Sequence, residues 1–401
     1  MAIVNVPRLL VPKKEYDYSK WAVIACDQFT SQKDYWEKLD AISGDTSTLR
    51  LIFPEYYLSV SNEEQIAARI AAIHARMNDY VHSAVFDEVD DFVLVERTLP
   101  TGGVRVGLVV AIDLEEYDYR PEAAAHIRAT EATVESRLPI RVRIRDGARL
   151  EFTHALLLVD DRREGVVERV YARRNDLPLL YDFDLNMGGG HLRGYRVTDS
   201  EAVLSQLTAI TQGKDFQFAV GDGNHSIASA KKYWEKIKAG LSPEERLTHP
   251  ARYATVELIN LHLDGLTFHP IHRVVTGADF EDFLREMKGA FHGEGKLNVL
   301  YKGGTYTVDC DRDATAVIEK MAAFIADYLA RHPAVSVDYI HGEEHLNTVC
   351  AATDGIGVVM PCMQKSDLFP YVQAHGVLPK KAFSLGEAEE KRYYMEGKLI
   401  R

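Results

Sequence analysis

Residues 216–226, Phe-Gln-Phe-Ala-Val-Gly-Asp-Gly-Asn-His-Ser, run from an apolar strand through a Gly-Asp-Gly break directly into a helix-forming stretch, Ile227 to Trp234. Glycines permit this abrupt change, because they let backbone N–H groups turn toward one side of the break. The N-terminus of the new helix adds partial positive charge, so the turn is a ready cradle for an anion. Asp222 and His225 lie inside it, where a carboxylate and an imidazole can hold a metal or move a proton. The same residues also fit a plain helix start, with Asp222 or Asn224 as the cap and His225 packed nearby.

The rest of the chain bounds the answer more loosely. Its 401 residues suggest about two or three domains. With 46% hydrophobic and 27% charged residues, it has the composition of a soluble globular protein with a large core. A formal net charge of −13 disfavours non-specific binding to nucleic acid or to an anionic membrane, so any phosphate site must be a local feature. The N-terminal Met-Ala-Ile-Val-Asn-Val-Pro lacks the charged region and apolar core of a signal peptide, so none is expected, and no apolar run reaches membrane-spanning length. Cys26, Cys310, Cys350 and Cys362 are scattered without a Cys-x-x-Cys pair, which fits buried reduced thiols and a cytoplasmic location.

Helix and strand patterns alternate along the chain, which predicts a mixed α/β fold. Trp21–Cys26 reads as a buried strand, Glu63–Val81 as a long helix, and Phe92–Leu99 with Val104–Leu114 as paired strands around Pro100-Thr101-Gly102-Gly103. A helix is expected over Glu122–Val134 and strands at Ile140–Ile144 and Ala155–Val159. The C-terminal Glu387–Tyr394 reads as a charged surface helix or packed tail. After Thr276-Gly277 the pattern changes to short strands and helices. A core domain over residues 1–275 and a smaller C-terminal α/β domain over 276–401 are therefore expected.

At Gly221–Ser226 the chain resembles a prokaryotic family catalogued as domain of unknown function 1015. Its hallmark after a strand is Asp-Gly-His-His-Arg or, in one branch, Gly-Asp-Gly-Asn-His-Ser. Further similar segments are Ala25–Gln32, Pro54–Leu58, Ile127–Glu131, His269–Arg273 and Phe383–Ala388, so the resemblance runs end to end. The hallmark is in turn similar to the phosphate-binding box of the ParB and sulfiredoxin superfamily, which includes free-serine kinases and nucleotide-binding partition proteins. That similarity implies ParB/sulfiredoxin-like core elements. It also implies Asp222 as a catalytic base or magnesium-side carboxylate, with Gly221, Gly223, Asn224, His225 and Ser226 around the phosphate.

Two positions depart from the hallmark. Asn224 stands where the first histidine would be, and Ser226 where the arginine would be. Losing that guanidinium removes a bidentate phosphate clamp. The missing positive charge must come from Arg128, Arg273, Lys231 or a metal ion.

Other constellations carry competing readings. Arg128, Glu131 and Glu135 would share a helix face, with Arg128 clamping phosphate and Glu131 holding Mg²⁺ or a water, or they form a solvated run of intrahelical ion pairs. His272 and Arg273 close a strand, as acid or base and phosphate partner or as structural residues. Asp27, Thr30 and Ser31 follow the first strand, where substrate loops commonly sit, although Thr30 or Ser31 also suits a helix cap. His341-Gly342-Glu343-Glu344-His345 matches a zinc-peptidase pattern, but a turn is expected there because Gly342 interrupts it. The run Gly188-Gly189-Gly190 reads as a hairpin.

The sequence thus points to a small-molecule phosphotransferase, resembling an amino-acid kinase, with Mg²⁺ and with ATP or ADP as phosphoryl donor. A phosphomonoester hydrolase and a non-catalytic nucleotide-binding regulator are the alternatives. The expected partner is a nucleotide or small phosphorylated metabolite, not nucleic acid or membrane. A homo-oligomer is compatible with the sequence.

Overall fold

The structure, a computed structural model, describes residues 2–401 and has the mixed α/β class expected from the sequence. The chain divides into two compact units. The first comprises Met1–Ala129, Thr133–Leu266 and Glu387–Arg401, the second Thr130–Ala132 and Thr267–Gly386. The division falls before Thr267 rather than after residue 275. Phe268–Thr276 is one continuous strand, and its partners Ser336–His341, Ile356–Val359 and Phe383–Leu385 all come later in the chain.

The first unit is built on a ten-stranded mixed sheet. Its order is Leu179–Asp184, His191–Val197, Phe92–Thr98, Val104–Asp113, Tyr253–Asn260, Leu156–Val159, Phe218–Asp222, Ile127–Ala129 and Tyr117–Asp118, with Val4–Asn5 added beside Val104–Asp113. The expected hairpin is present: Leu99 N donates to Gly103 O at 2.8 Å, and Gly102 supplies φ +90° in the turn. Phe92–Glu96 and Val106–Ile112 are buried without alternation, as befits strands covered on both faces. The long helix spans Glu63–His82. Asn62 and Gln65 form a capping box at its start, and Ile70, Ile73, Met77 and Tyr80 bury its inner stripe.

Two local expectations are overturned. The helix over Glu122–Val134 does not form; Ile127–Ala129 is a strand lying parallel to Phe218–Val220, where pairing with a sheet edge outweighs the helix propensity of the preceding alanines. Arg128 and Glu135 therefore share no helix face. Ile140–Ile144 is not a strand but part of the helix Leu138–Arg145, although its apolar and basic residues alternate. Pro139 suits a first helical turn, and Glu55 pairs with both Arg137 (2.7 Å) and Arg141, four residues apart on one helix face.

The C-terminal tail takes the second of its two readings: it is packed and forms no surface helix. Gly397–Leu399 is an inner strand of a four-stranded sheet, between Leu9–Pro12 and Leu150–Phe152, with Phe86–Val89 at the edge. Just before it, the tail straps the fully buried segment Trp21–Ala25: Ala25 N donates to Lys391 O at 2.7 Å and Tyr393 N to Val23 O at 2.9 Å. Trp21–Cys26 thus has the burial of a strand but forms only an isolated bridge, Ile24 with Arg392 of the tail, among the described residues. Two buried charges of the tail are partnered, Glu396 by the Tyr181 hydroxyl (2.7 Å) and Lys398 by Pro250 O (2.7 Å).

The second unit carries a six-stranded sheet in the order Gly304–Cys310, Gly295–Tyr301, Ile356–Val359, Phe268–Thr276 and Ser336–His341, with Phe383–Leu385 paired to Phe268–Thr276. Helices Phe280–Ala290, Ala314–Arg331 and Glu343–Thr353 complete it. His341 ends a strand, and Gly342 caps the helix that begins at Glu343, so His341 and His345 share no helix face. Among the described residues no helix is long and apolar enough to cross a membrane.

A buried ion pair anchors the middle of the large sheet. Arg252 grips Asp113 through Nε–Oδ1 at 2.9 Å and Nη2–Oδ2 at 2.6 Å, with the carboxylate fully buried. Asp113→Ala leaves the guanidinium uncompensated and lowers unfolding free energy by about 3–5 kcal/mol. Urea unfolding checks this; a loss within about 1 kcal/mol, as for an exposed pair, contradicts it.

Candidate functional site

The strand Phe218–Asp222 ends beside Leu156, and Gly223 turns the chain with φ +77° into the helix Asn224–Lys238. A Cβ at Gly223 would lie 2.7 Å from Ala155 Cα, so both space and backbone conformation demand glycine there. The first intrahelical bond runs from Ile227 N to Gly223 O at 3.1 Å. The N–H groups of the first turn before it have no intrahelical acceptor, which is the cradle geometry expected from the sequence. Asp222 Oδ1 accepts from Gly223 N at 2.8 Å, and Lys391 Nζ lies 3.2 Å from Asp222 Oδ2. Asn224 Oδ1 is buried with no donor among the described residues.

Several segments of the first unit converge here. Asp27 follows the strapped segment, His154 precedes the strand Leu156–Val159, Arg141 comes from the helix Leu138–Arg145, and Lys391 from the tail. His154 Nε2 lies 4.0 Å from Asp27 Oδ1. Burial works to raise the Asp27 carboxyl, but His154, Gln28, Lys391 and Arg141 together hold it down at about 2. Burial pushes the His154 imidazole down, Arg141 and Lys391 add to this, and Asp27 and Asp222 oppose it. His225 is pushed down to about 4 by burial and by Arg137 and Arg141, and its Nε2 accepts from Val134 N at 3.2 Å. At neutral pH it is an uncharged acceptor that ties down a loop, not a proton donor.

Beneath the helix start lies a cavity of about 100 Å³. Ser226 and Ser229 line it from the helix, with Cys26, His154 and Tyr393 beside apolar side chains such as Phe53 and Ile144. Its charges are already paired, Glu55 with Arg141 and Glu151 with Arg145. Burial, with Asp27 adding, pushes the Cys26 thiol up to about 11, which makes it a poor nucleophile.

Of the other residues singled out in the sequence, Thr30 and Ser31 are exposed, and Gln32, not either of them, is the N-cap of the following helix. Arg128 donates to Ala125 O at 2.9 Å and stacks over Phe216, which precedes the strand that ends in Asp222. Its guanidinium is therefore directed away from the box. Lys231 donates to Leu114 O at 2.8 Å and pairs with Glu235 at 3.0 Å. Glu131, His272 and Arg273 belong to the second unit. There Glu131 bridges to Leu378, His272 Nδ1 accepts from Met360 N at 3.1 Å, and Arg273 bonds Lys381 O (3.1 Å) and stacks over Tyr339.

The cation that stands at Asp222 is Lys391, a residue the sequence reading passed over. Its signal was present: Lys391-Arg392 is followed by Tyr-Tyr-Met, an apolar continuation unlike that of a solvated helix. Among the described residues, the one group of three metal-ligating side chains with converging atoms is Asp282, Glu286 and His332, in the second unit. Glu286 there is already paired with Arg331 at 2.6 Å.

The sequence profile of the DUF1015 family, described as proteins of unknown function, matches residues 10–338. The chain belongs to this family. No curated protein sequence matches it. Among solved structures, a free serine kinase in complex with ADP shares 12% identity over 72% of this chain and 91% of its own, with a TM-score of 0.39. A conserved hypothetical protein from Pyrococcus furiosus shares 11% identity over 69% and 90%, with a TM-score of 0.37. SbnI from Staphylococcus aureus, truncated at its C-terminus, shares 12% over 69% and 82%, with a TM-score of 0.35. These likenesses are remote.

In this DUF1015 chain the box lies inside the matched span. Because folding depresses the His225 pKa, the folded state binds fewer protons than the unfolded state between about pH 4 and the usual imidazole range. His225 thus contributes stability that is present above that range and is lost as pH falls toward about 4. Histidine NMR titration should place its pKa at about 4, well below the usual imidazole value. A normal value would mean that His225 is not buried beside Arg137 and Arg141.

Proposed function

We propose that this protein is a small-molecule phosphotransferase that binds a nucleotide or phosphorylated metabolite at Gly221–Ser226. The observation that carries the reading is Asp222, fixed between the Gly223 N–H and the Lys391 ammonium at the open N-terminus of a long helix. A carboxylate in that position takes the proton of an acceptor hydroxyl. The first-turn N–H groups and Lys391 face the negative charge on the phosphoryl oxygens, in a site where they need no rearrangement. His225 steadies the cradle through Val134 and carries no proton in the reaction. His154 and Asp27 keep the surroundings of Asp222 polar and fixed.

The residues present fit Mg²⁺, since Asp222 and the donor-free Asn224 Oδ1 are hard oxygen ligands and Mg²⁺ usually takes only one or two protein carboxylates. Asp222 and Asn224 would hold the ion, which would neutralise phosphoryl charge. ATP or ADP is the donor, and a small hydroxyl compound the acceptor. The resemblance of the box to that of the free-serine kinases makes serine the first acceptor to test.

The test follows phosphoryl transfer from ATP or ADP to serine and other small alcohols by ³¹P NMR, with and without Mg²⁺. Asp222→Asn should slow transfer about 10²–10⁴-fold, the usual worth of a positioned general base. Transfer that survives Asp222→Asn unchanged overturns this mechanism. Release of inorganic phosphate without an acceptor would instead identify a hydrolase, and nucleotide-dependent thermal stabilisation without turnover a regulator.

A further inference from the structure

Two arginines stand directly opposite each other in the main hairpin of the first unit. Arg97 and Arg105 are cross-strand partners in register, and they are 1% and 5% exposed. Like charges in that relation repel, and burial magnifies the repulsion. The ordinary remedy is a carboxylate on each guanidinium, and here the remedy is incomplete. Arg105 lies 3.5 Å from Glu257 and 4.0 Å from Glu390, long for charge-assisted hydrogen bonds. Arg97 makes no salt bridge, and its Nε and Nη2, with Nε of Arg105, are buried donors lacking any acceptor among the described residues.

Glu257, Tyr394, Glu390 and Asp222 favour the Arg105 cation against its burial, so the deficit falls on Arg97. Glu257 Oε2 is engaged by the Tyr394 hydroxyl. Burial raises the Glu396 carboxyl to about 7, so it supplies at most a partial charge. Burial and the charges of Arg105 and Arg392 bear against the Arg97 cation, pushing its pKa down to about 9. Arg105 lies 4.0 Å from Glu390, the residue before Lys391, which pairs with Asp222 at 3.2 Å, so Arg105 reaches the neighbourhood of the box through the tail.

We propose that Arg97 and Arg105 form a buried oxyanion site that takes a phosphate group of the ligand whose reacting end lies at Asp222. Three unsatisfied N–H donors on two planar guanidiniums suit a tetrahedral, multiply charged oxyanion. The anion would supply the charge the arginine pair lacks. The link to a reacting ligand rests on the phosphotransferase reading, whereas the anion site itself does not.

Thermal-shift and calorimetric titrations with inorganic phosphate and pyrophosphate test it, on the full chain and on Arg97→Met. Phosphate should stabilise the wild type, and Arg97→Met should weaken binding roughly 10–100-fold, the worth of a lost charge-assisted contact. In phosphate-free buffer Arg97→Met should melt at or above the wild type, because it removes an uncompensated buried charge. If the variant fails to fold, Arg97→Lys, which keeps the charge but not the planar fork, should show the same loss of phosphate binding. No phosphate binding by the wild type, or undiminished binding by the variant, means that buried waters satisfy these arginines and overturns the proposal. Asp222→Asn separates the two ideas. Phosphate binding that needs Arg97, in a protein without phosphoryl transfer, leaves this site standing and removes the phosphotransferase reading. Transfer that needs Asp222 while phosphate binding ignores Arg97 does the reverse.

Discussion

The pairing of the C-terminal tail with the beginning of the chain is the constraint on which the first unit depends. Gly397–Leu399 fills the middle of the four-stranded sheet, so without it Leu9–Pro12 and Leu150–Phe152 would each lose a partner strand. The residues just before it supply the backbone partners of Val23 and Ala25 inside the core. These hydrogen bonds are buried and have no water to replace them, so the strap is obligatory once the segment Trp21–Ala25 is buried. The same strap fixes where Lys391 emerges, and Lys391 is the ammonium that meets Asp222. The pairing that closes the fold therefore also completes the site.

Electrostatics at the box runs against the character of the whole chain. A protein of net charge −13 gathers Lys391, Arg137 and Arg141 among three carboxylates, Asp27, Asp222 and Glu55, at the positive end of a helix. Partial burial makes each of these charges count for more than it would in water. The consequences differ by residue: Asp27 is kept ionised, while His154 and His225 are driven toward their neutral forms. Such a site holds fixed dipoles and cations facing a place where an anion can sit.

Local chemistry decided what could be read from the sequence. The hairpin at Leu99–Gly103, the long helix Glu63–His82 and the strand–glycine–helix turn at Gly223 are each encoded by a few neighbouring residues, and each is present as expected. Ile127–Ala129 and Leu138–Arg145 went the other way, because their outcome depends on distant partners: Phe218–Val220 in one case, Glu55 in the other. The cation of the box was sought in Arg128, Lys231 and Arg273. Each of these has local partners, Ala125 O and Phe216, Leu114 O and Glu235, Lys381 O and Tyr339. Lys391 escaped notice because its position relative to Asp222 is set by sheet pairing across nearly the whole chain, a relation no local pattern records.

The claim that the tail completes the site is tested most directly by a double-mutant cycle on ligand affinity. Calorimetric titration of a nucleoside diphosphate would compare the wild type, Asp222→Asn, Lys391→Met and the double variant. The account predicts that the two substitutions are coupled by about 1 kcal/mol or more, as expected for charges in contact within one site. Strictly additive effects, or affinity indifferent to Lys391→Met, would show that the ammonium at Asp222 is only a structural ion pair.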